Sequence, residues 1–476
     1  MPPILLAALM ASAPATDTRP PNIVLILADD LGSFDLGCDG RKDHRTPNLD
    51  KLAAGGARFT QGYAAASVCS PTRAALLTGQ APARLHLTTF LPGRPDAPSQ
   101  KLLHPAIATH LPADVPTLPK LLKDAGYATG CFGKWHLGGK GHQPTDHGFD
   151  TFYAGKATTT PGDTEGGKGE FDLTAAVAGF AEKHKDRPFF AYLAHHAPHI
   201  PYTARPDRVT ANAAAFEPTY AAVVESLDES VGVLLKKLDA LGVADDTIVV
   251  FTSDNGGLHV PELKHERVTH NGPLRAGKGY LYEGGLRVPL IVRWPGKVKP
   301  GTTIDTPVIT TDWLPTLADV AGGKPPKTLD GANLAGLLRG SGPPPDRPLF
   351  WHQPHYINQG SRPGSAVREG NWKLVAWAET GTAELFDLSS DPGEKTDVSA
   401  DHPDRVKHLR AKLAEWLKAV DAQEMKPNPD FDAALHKQLY LTPDPSKFAP
   451  AAATPAEWEA IHLWRKRMDA AVKPTK

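Results

Sequence analysis

Continuous apolar runs that stop abruptly at polar residues dominate the first two thirds of this chain. Asn22-Ile23-Val24-Leu25-Ile26-Leu27-Ala28 ends at Asp29-Asp30, and Thr247-Ile248-Val249-Val250-Phe251-Thr252-Ser253 ends at Asp254-Asn255-Gly256-Gly257. Phe189-Phe190-Ala191-Tyr192-Leu193-Ala194 runs in the same way into His195-His196-Ala197-Pro198-His199. Runs without polar alternation predict strands buried on both faces, as in a parallel sheet. Helical patterns lie between them. Thr46-Pro47 caps and opens a helix that ends at Gly55-Gly56, residues 117–125 form a second, and Tyr220 to Leu241 carries apolar positions at Val223, Leu227, Val231, Leu234 and Leu238. Strand and helix alternate, which predicts βαβ units and an α/β fold.

The texture changes from Gly322. Ser341 to Pro348 is a proline-rich connection, followed by short strand-like runs at Ala366–Glu369, Trp372–Trp377 and Glu384–Leu388. Their spacing suits a small antiparallel sheet, with an amphipathic helix from Pro403 to Val420 over one face. The chain thus divides into a large unit over residues 20–340 and a smaller C-terminal α+β unit over 345–476. The tail with Trp458 and Trp464 carries no assignable pattern.

Charge narrows the function. Lys plus Arg number 52 against 53 Asp plus Glu, a net of −1, so no global field recruits nucleic acid. A length of 476 residues exceeds one ordinary core, in keeping with two units. Three cysteines make no disulfide framework; Cys131, in an apolar run, reads as a buried thiol, and a Cys38–Cys131 pairing stays open. Residues 1–15 read as a short secretory signal without a basic start: Ile4 to Ser12 is apolar and Ala13-Pro14-Ala15 offers a cleavage site. The expected location is periplasmic or secreted. No cysteine follows to accept a lipid, and no later stretch is long enough to span a bilayer, so membrane insertion is not expected.

Chemistry concentrates at the ends of the runs. Asp29, Asp30, Asp254 and Asn255 form an all-oxygen set suited to a hard cation, calcium or, in a tighter site, magnesium. Cys69-Ser70-Pro71-Thr72-Arg73 opens a helix that continues through Leu76 and Leu77 to Thr78-Gly79. Pro71 in the first turn puts Cys69 at a helix N-terminus, where the dipole favours an anion, and Arg73 adds a fixed positive charge. Gly133-Lys134-Trp135-His136-Leu137-Gly138 and Gly277-Lys278-Gly279 supply further cations.

These segments together resemble the type I sulfatases: C-x-P-x-R with L-x-T-G at Cys69–Gly79, G-K-W-H-L-G at Gly133–Gly138, the P-H-x-P histidine at His199, and G-K-G-x-x-x-E-G-G-x-R-x-P at Gly277–Pro289. Leu388-Ser389-Ser390-Asp391-Pro392-Gly393-Glu394 is similar to the family's L-x-x-D-P-x-E turn. The resemblance implies an alkaline-phosphatase-like fold and a C-terminal subdomain framing the substrate cleft. It implies conversion of Cys69 by a formylglycine-generating maturation enzyme, the hydrated aldehyde acting as nucleophile. One calcium ion would be held by Asp29, Asp30, Asp254, Asn255 and the modified Cys69. Lys134 and Lys278 would contact sulfate, His136 the diol, and His199 would be the general acid; Arg73 completes the catalytic set. Glu283 and Arg287 read as structural, and His195 and His196 stay outside the set. Segments 84–94 and 100–111 resemble those of bacterial polysaccharide sulfatases, so the expected substrate is a sulfated galactose or N-acetylgalactosamine unit, with His86, Arg94, His259 and His270 as candidate sugar contacts. Two alternatives stand beside this reading. One is a phosphonate monoester or phosphodiester hydrolase of the same superfamily; the other is a non-catalytic sulfated-glycan-binding protein should Cys69 stay a thiol.

Overall fold

The computed structural model describes residues 19–162, 165–262 and 265–471. The signal-like segment 1–15 lies outside them. In chain order the first strands are β1 (Asn22–Ala28), β2 (Ala57–Tyr63), a two-residue β3 (Leu102–Leu103), β4 (Ala128–Gly133), β5 (Thr151–Tyr153), β6 (Phe189–Ala194), β7 (Thr247–Ser253), β8 (Arg287–Arg293), β9 (Thr302–Ile304) and β10 (Val308–Ile309). All except β3 join one nine-stranded sheet in the order β10-β2-β8-β7-β1-β6-β4-β5, with β9 beside the first half of β2. Every pairing is parallel except those of β8, which runs antiparallel to β2 and β7.

The helices are α1 (Pro47–Ala54), α2 (Cys69–Thr78), α3 (Leu118–Asp124), α4 (Glu170–His184), α5 (Pro206–Ala211) and α6 (Pro218–Ala240), with others later in the chain. They cover both faces of the sheet, which is why β1 has no polar side. Ile23, Leu25 and Leu27 pack with Leu76, Leu77, Leu118 and Leu122 of α2 and α3. Val24 and Ile26 pack with Leu49, Val177, Val223 and Leu227 of α1, α4 and α6 on the other face. Full burial of such a side chain contributes about 1.5–3 kcal/mol. Helix α6 begins two residues before the predicted Tyr220, because Pro218 fits the first turn and the Glu217 carboxylate accepts the Thr219 N–H.

A second, four-stranded antiparallel sheet follows, made of β11 (Leu349–Gln353), β12 (Gly364–Glu369), β13 (Trp372–Trp377) and β14 (Ala383–Asp387). The sequence reading missed β11, a short strand hidden behind the proline-rich connection. Helix 403–419 lays Leu409 and Leu413 on Val367, Leu374 and Leu385, as its apolar stripe predicts. The two sheets are linked by a buried charge cluster. Lys373 lies 2.9 Å from both Glu283 and Glu394, and the Glu283 N–H donates to Glu394. Glu283, left as structural, and the glutamate of the L-x-x-D-P-x-E turn therefore join the subdomains. The tail forms its own small core: Trp464 and Ile461 of helix 455–471 pack with Leu439, Tyr440, Tyr356 and Val260. Together these features are the alkaline-phosphatase-like architecture expected from the motifs.

Candidate active site

Strand register assembles the site. Ala28 of β1 pairs with Ser253 of β7, Leu27 with Ala194 of β6, and Ala194 with Gly133 of β4. Asp29-Asp30, Asp254-Asn255, Lys134 and the His195–His199 loop must therefore leave the sheet at one edge, the carboxyl end where open α/β sheets place their ligands. The chain pays for this geometry in strain: Asp30 and His136 sit at φ of 67° and 57°, a region that non-glycine residues rarely occupy.

Helix α2 delivers Cys69 to the same edge as its first residue, and every side chain of the helix is buried. The motif's small residues hold it there. Ser70 Oγ accepts the Leu91 N–H at 3.0 Å, and Thr72 Oγ1 accepts the Ala66 N–H and donates to the Ala66 carbonyl. Arg73 donates twice to Asp254 Oδ2, at 3.0 and 2.7 Å, and once to the Lys134 carbonyl at 2.9 Å. Cys69 Sγ faces Asp29 Oδ1 at 3.5 Å and Asp30 Oδ1 at 4.0 Å.

Three cations answer three carboxylates: Lys134 Nζ meets Asp29 at 2.6 Å, Lys278 Nζ meets Asp30 at 2.8 Å, and Arg73 holds Asp254. Burial would raise the Asp29 carboxyl, but Lys134, His199, Arg73 and Lys278 hold it well below the ordinary range. Burial pushes Asp30 up, and burial with the Asp29 charge pushes Asp254 up to about 6. Burial and the Asp254 charge push the Cys69 thiol well above its usual value, so the thiol stays protonated. The histidines move the other way. Burial and Lys134 bring His136 down to about 3, and burial and Lys278 do the same to His199.

Both imidazoles are accordingly neutral, and their partners set the tautomers. His136 donates Nε2–H to the Leu91 carbonyl at 2.8 Å, leaving a buried Nδ1 without a partner. His199 donates Nδ1–H to the Ile200 carbonyl at 2.7 Å and accepts from Lys278 through Nε2 at 3.1 Å. Glycines make the Lys278 segment possible. A Cβ on Gly277 would stand 2.3 Å from the Gly257 carbonyl oxygen, whereas Lys278 N–H donates to that same oxygen.

The donor set fits a hard cation. Ligand atoms of Asp29, Asp30, Cys69 and His199 lie within 4.8 Å of one another. Asn255 donates through Nδ2 to Asp30 Oδ1 at 2.7 Å, which leaves its Oδ1 buried and unpartnered. Such an oxygen is costly without a ligand. Asp254 is the more committed member: Oδ2 serves Arg73 and Oδ1 accepts the Asp30 N–H. His199, expected only as an acid, joins the cluster.

The proposed sugar contacts are engaged elsewhere. His86 bonds the Asp421 carbonyl, Arg94 the Ile357 carbonyl and the Tyr440 hydroxyl, and buried His259 the Pro445 carbonyl. His270 packs edge-on against Phe216. None is hydrogen-bonded to the Cys69 cluster. His195 is buried with no partner for its ring, and His196 bonds the Ala154 carbonyl, so neither joins it. The three cysteines are free. Two buried ionic residues near the site went unnoticed in the sequence. Glu262 lies 3.7 Å from Lys278, and Lys168 donates to the Pro201 carbonyl just beyond His199. Both occupy loops without a periodic or motif signal.

Known proteins resemble this chain in sequence and fold. The family described as Sulfatase matches residues 21–323, and that of the N-sulphoglucosamine sulphohydrolase C-terminal region matches residues 276–423. Arylsulfatase A from Homo sapiens is 37% identical over 441 residues, 79% of this chain and 83% of that protein. N-acetylgalactosamine-6-sulfatase from Mus musculus is 34% identical over 435 residues, 83% of this chain and 79% of that protein. The crystal structure of Ps i-CgsB in complex with k-i-k-neocarrahexaose superposes with a TM-score of 0.74 at 30% identity, covering 90% of this chain and 99% of that one. With the Cys69 motif, the oxygen cluster and the flanking lysines all inside the matched region, the chain belongs to the sulfatase family.

Proposed function

We propose that this sulfatase removes sulfate from a sulfated carbohydrate of galactose or N-acetylgalactosamine type, using formylglycine made from Cys69 and one calcium ion. The observation that carries the reading is the buried constellation around Cys69, in which two carboxylates face the sulfur and balanced cations surround them. A protonated, buried thiol between carboxylates is a poor nucleophile. When present, the geminal diol supplies the attacking oxygen and the divalent cation neutralises sulfate oxygens.

The chain's own residues do the rest. Arg73 fixes Asp254 and the Lys134 carbonyl, so that α2 and the Lys134 loop cannot drift apart. The buried, unpartnered Nδ1 of His136 is left as a hydrogen-bond acceptor, the role assigned to it toward the diol. Neutral His199 lacks a proton on Nε2, but the Lys278 ammonium beside it holds one. The acid for the leaving oxygen is therefore the Lys278–His199 pair, with proton transfer worth about 10²–10⁴ in rate. Support for a carbohydrate substrate comes from the oligosaccharide bound to Ps i-CgsB and from the sugar named in the mouse relative. The apolar Ile4–Ser12 run before Ala13-Pro14-Ala15 supports a periplasmic or secreted location, where a maturation enzyme for Cys69 would act during export. Among the described residues no helix is long and apolar enough to cross a membrane.

The test is the mass of the peptide spanning Cys69 from natively expressed protein, together with sulfate release from a generic aryl sulfate. The expected result is thiol-to-aldehyde conversion and activity abolished by Cys69→Ala. Faster cleavage of a phosphonate monoester than of the sulfate would favour the neighbouring hydrolase activity. An unmodified thiol without hydrolysis would leave only glycan binding.

A further inference from the structure

Lys278 stands between two carboxylates with different obligations. Its Nζ is 2.8 Å from Asp30 Oδ2 and 3.7 Å from Glu262 Oε2. Asp30 is committed to the cation cluster, since its other oxygen faces Cys69 and Asn255. A divalent ion held there would draw on the Asp30 charge and repel an ammonium beside it. Glu262 lies outside the cluster of candidate metal ligands, so its charge stays with Lys278.

Glu262 is itself held from the C-terminal side. It is 8% exposed, and its Oε2 accepts Gln359 Nε2 at 2.6 Å. Gln359, 1% exposed, sits in the loop between β11 and β12. That loop grips the lysine's own segment. Gln359 O accepts the Tyr280 hydroxyl at 2.7 Å, and Gln353 donates to the Gly279 carbonyl at 3.1 Å. Arg465 of the last helix secures the loop through the Asn358 carbonyl at 2.5 Å. The Gly279 N–H in turn donates to the Ser67 carbonyl, two residues before Cys69.

We propose that Glu262, fixed by Gln359, is the positioning residue of Lys278: it keeps the ammonium against His199 on the leaving-group side when the cation site is filled. The inference rests on the sulfatase reading and makes the C-terminal subdomain a working part of the active site. Its consequence is selective. Loss of the positioned ammonium matters most where the departing oxygen is a poor leaving group, because only that step needs the proton.

The experiment uses the matured full-length enzyme and a series of substituted phenyl sulfates, from 4-nitrophenyl to 4-methoxyphenyl. Glu262→Gln is expected to lower kcat on 4-methoxyphenyl sulfate about tenfold or more. On 4-nitrophenyl sulfate the change should stay within about threefold, with KM nearly constant across the series. Gln359→Leu should act in the same direction, and the double variant should lose no more than Glu262→Gln alone, since one residue works through the other. Calcium affinity of the unmatured protein, read by calorimetry, should be the same in Glu262→Gln as in wild type. Equal losses on every ester, additive losses in the double variant, or weakened calcium binding would overturn the proposal. So would a fall in thermal midpoint large enough to account for the lost activity. A wild-type enzyme that cleaves none of the esters would instead sink the sulfate-ester reading, and this inference with it.

Discussion

Glu170, the first residue of α4, should make this protein less stable as pH rises. Its side chain is fully buried, Oε2 accepts the Lys168 N–H at 2.8 Å, and Oε1 has no partner. Burial pushes its carboxyl from 4.5 up to about 8. Between those values the folded protein holds a proton that the unfolded chain has released, so stability falls with increasing pH across that window. At about 1.4 kcal/mol per pH unit, the loss between pH 5 and pH 8 is roughly 4 kcal/mol. Glu170→Gln keeps the shape and cannot ionise. Urea unfolding of both proteins at half-unit steps from pH 5 to pH 8.5 isolates the effect, because every other titrating group is common to the two. The variant should match or trail the wild type at pH 5 and overtake it progressively above pH 6. Parallel curves across the range would refute the reasoning and mean that the carboxylate finds solvent or a partner on ionising.

Three further outcomes follow from the buried charges. Arg73→Met removes one side of a fully buried ion pair and strands Asp254, which should cost about 3–5 kcal/mol in unfolding free energy and abolish sulfate release; a variant with wild-type stability would contradict the geometry. Lys373→Met leaves Glu394 without its cation and Glu283 with only the more distant Arg287 at 3.9 Å, with a loss of about 3–5 kcal/mol and a separate early transition for the C-terminal sheet in calorimetry. Chelation should abolish activity yet lower the thermal midpoint by only a few degrees, since Arg73, Lys134 and Lys278 already balance Asp29, Asp30 and Asp254; global unfolding in chelator would show that the cation holds the fold together.

Local chemistry made most of the residues clustered around Cys69 readable. β1, β6 and β7 are buried on both faces, and a strand with no solvent side has no choice but to be apolar throughout, so its end is marked by the first polar residue. That residue is where a parallel sheet presents its ligands, which is why Asp29, Asp30, Asp254 and Asn255 stood out. Arg73 and Lys134 were legible for a related reason: one lies in the first turns of the helix that Cys69 opens, the other directly follows β4. β8 and β11 were not. β8 is antiparallel in a parallel sheet, and its Arg287-Val288-Pro289 start resembles a loop, while β11 follows a run of prolines.

The intramolecular partners of the candidate sugar contacts come from far along the chain and were not legible. His86 reaches Asp421, Arg94 reaches Tyr440, and His259 reaches Pro445. A histidine in a polar loop looks the same whether it waits for a ligand or is satisfied by a carbonyl more than a hundred residues away. Helix 455–471 has too few apolar positions to fold against itself, and becomes stable only on Val260, Tyr356 and Leu439. Of these groups Arg94 alone is bonded to that helix, through Met468 Sδ at 3.3 Å, and the helix's Arg465 braces the Asn358–Gln359 loop toward Glu262. The segment without a motif is thus tied by packing and hydrogen bonds, through Gln359 and Glu262, to Lys278. Contacts of this kind leave no periodicity for a sequence reading to detect.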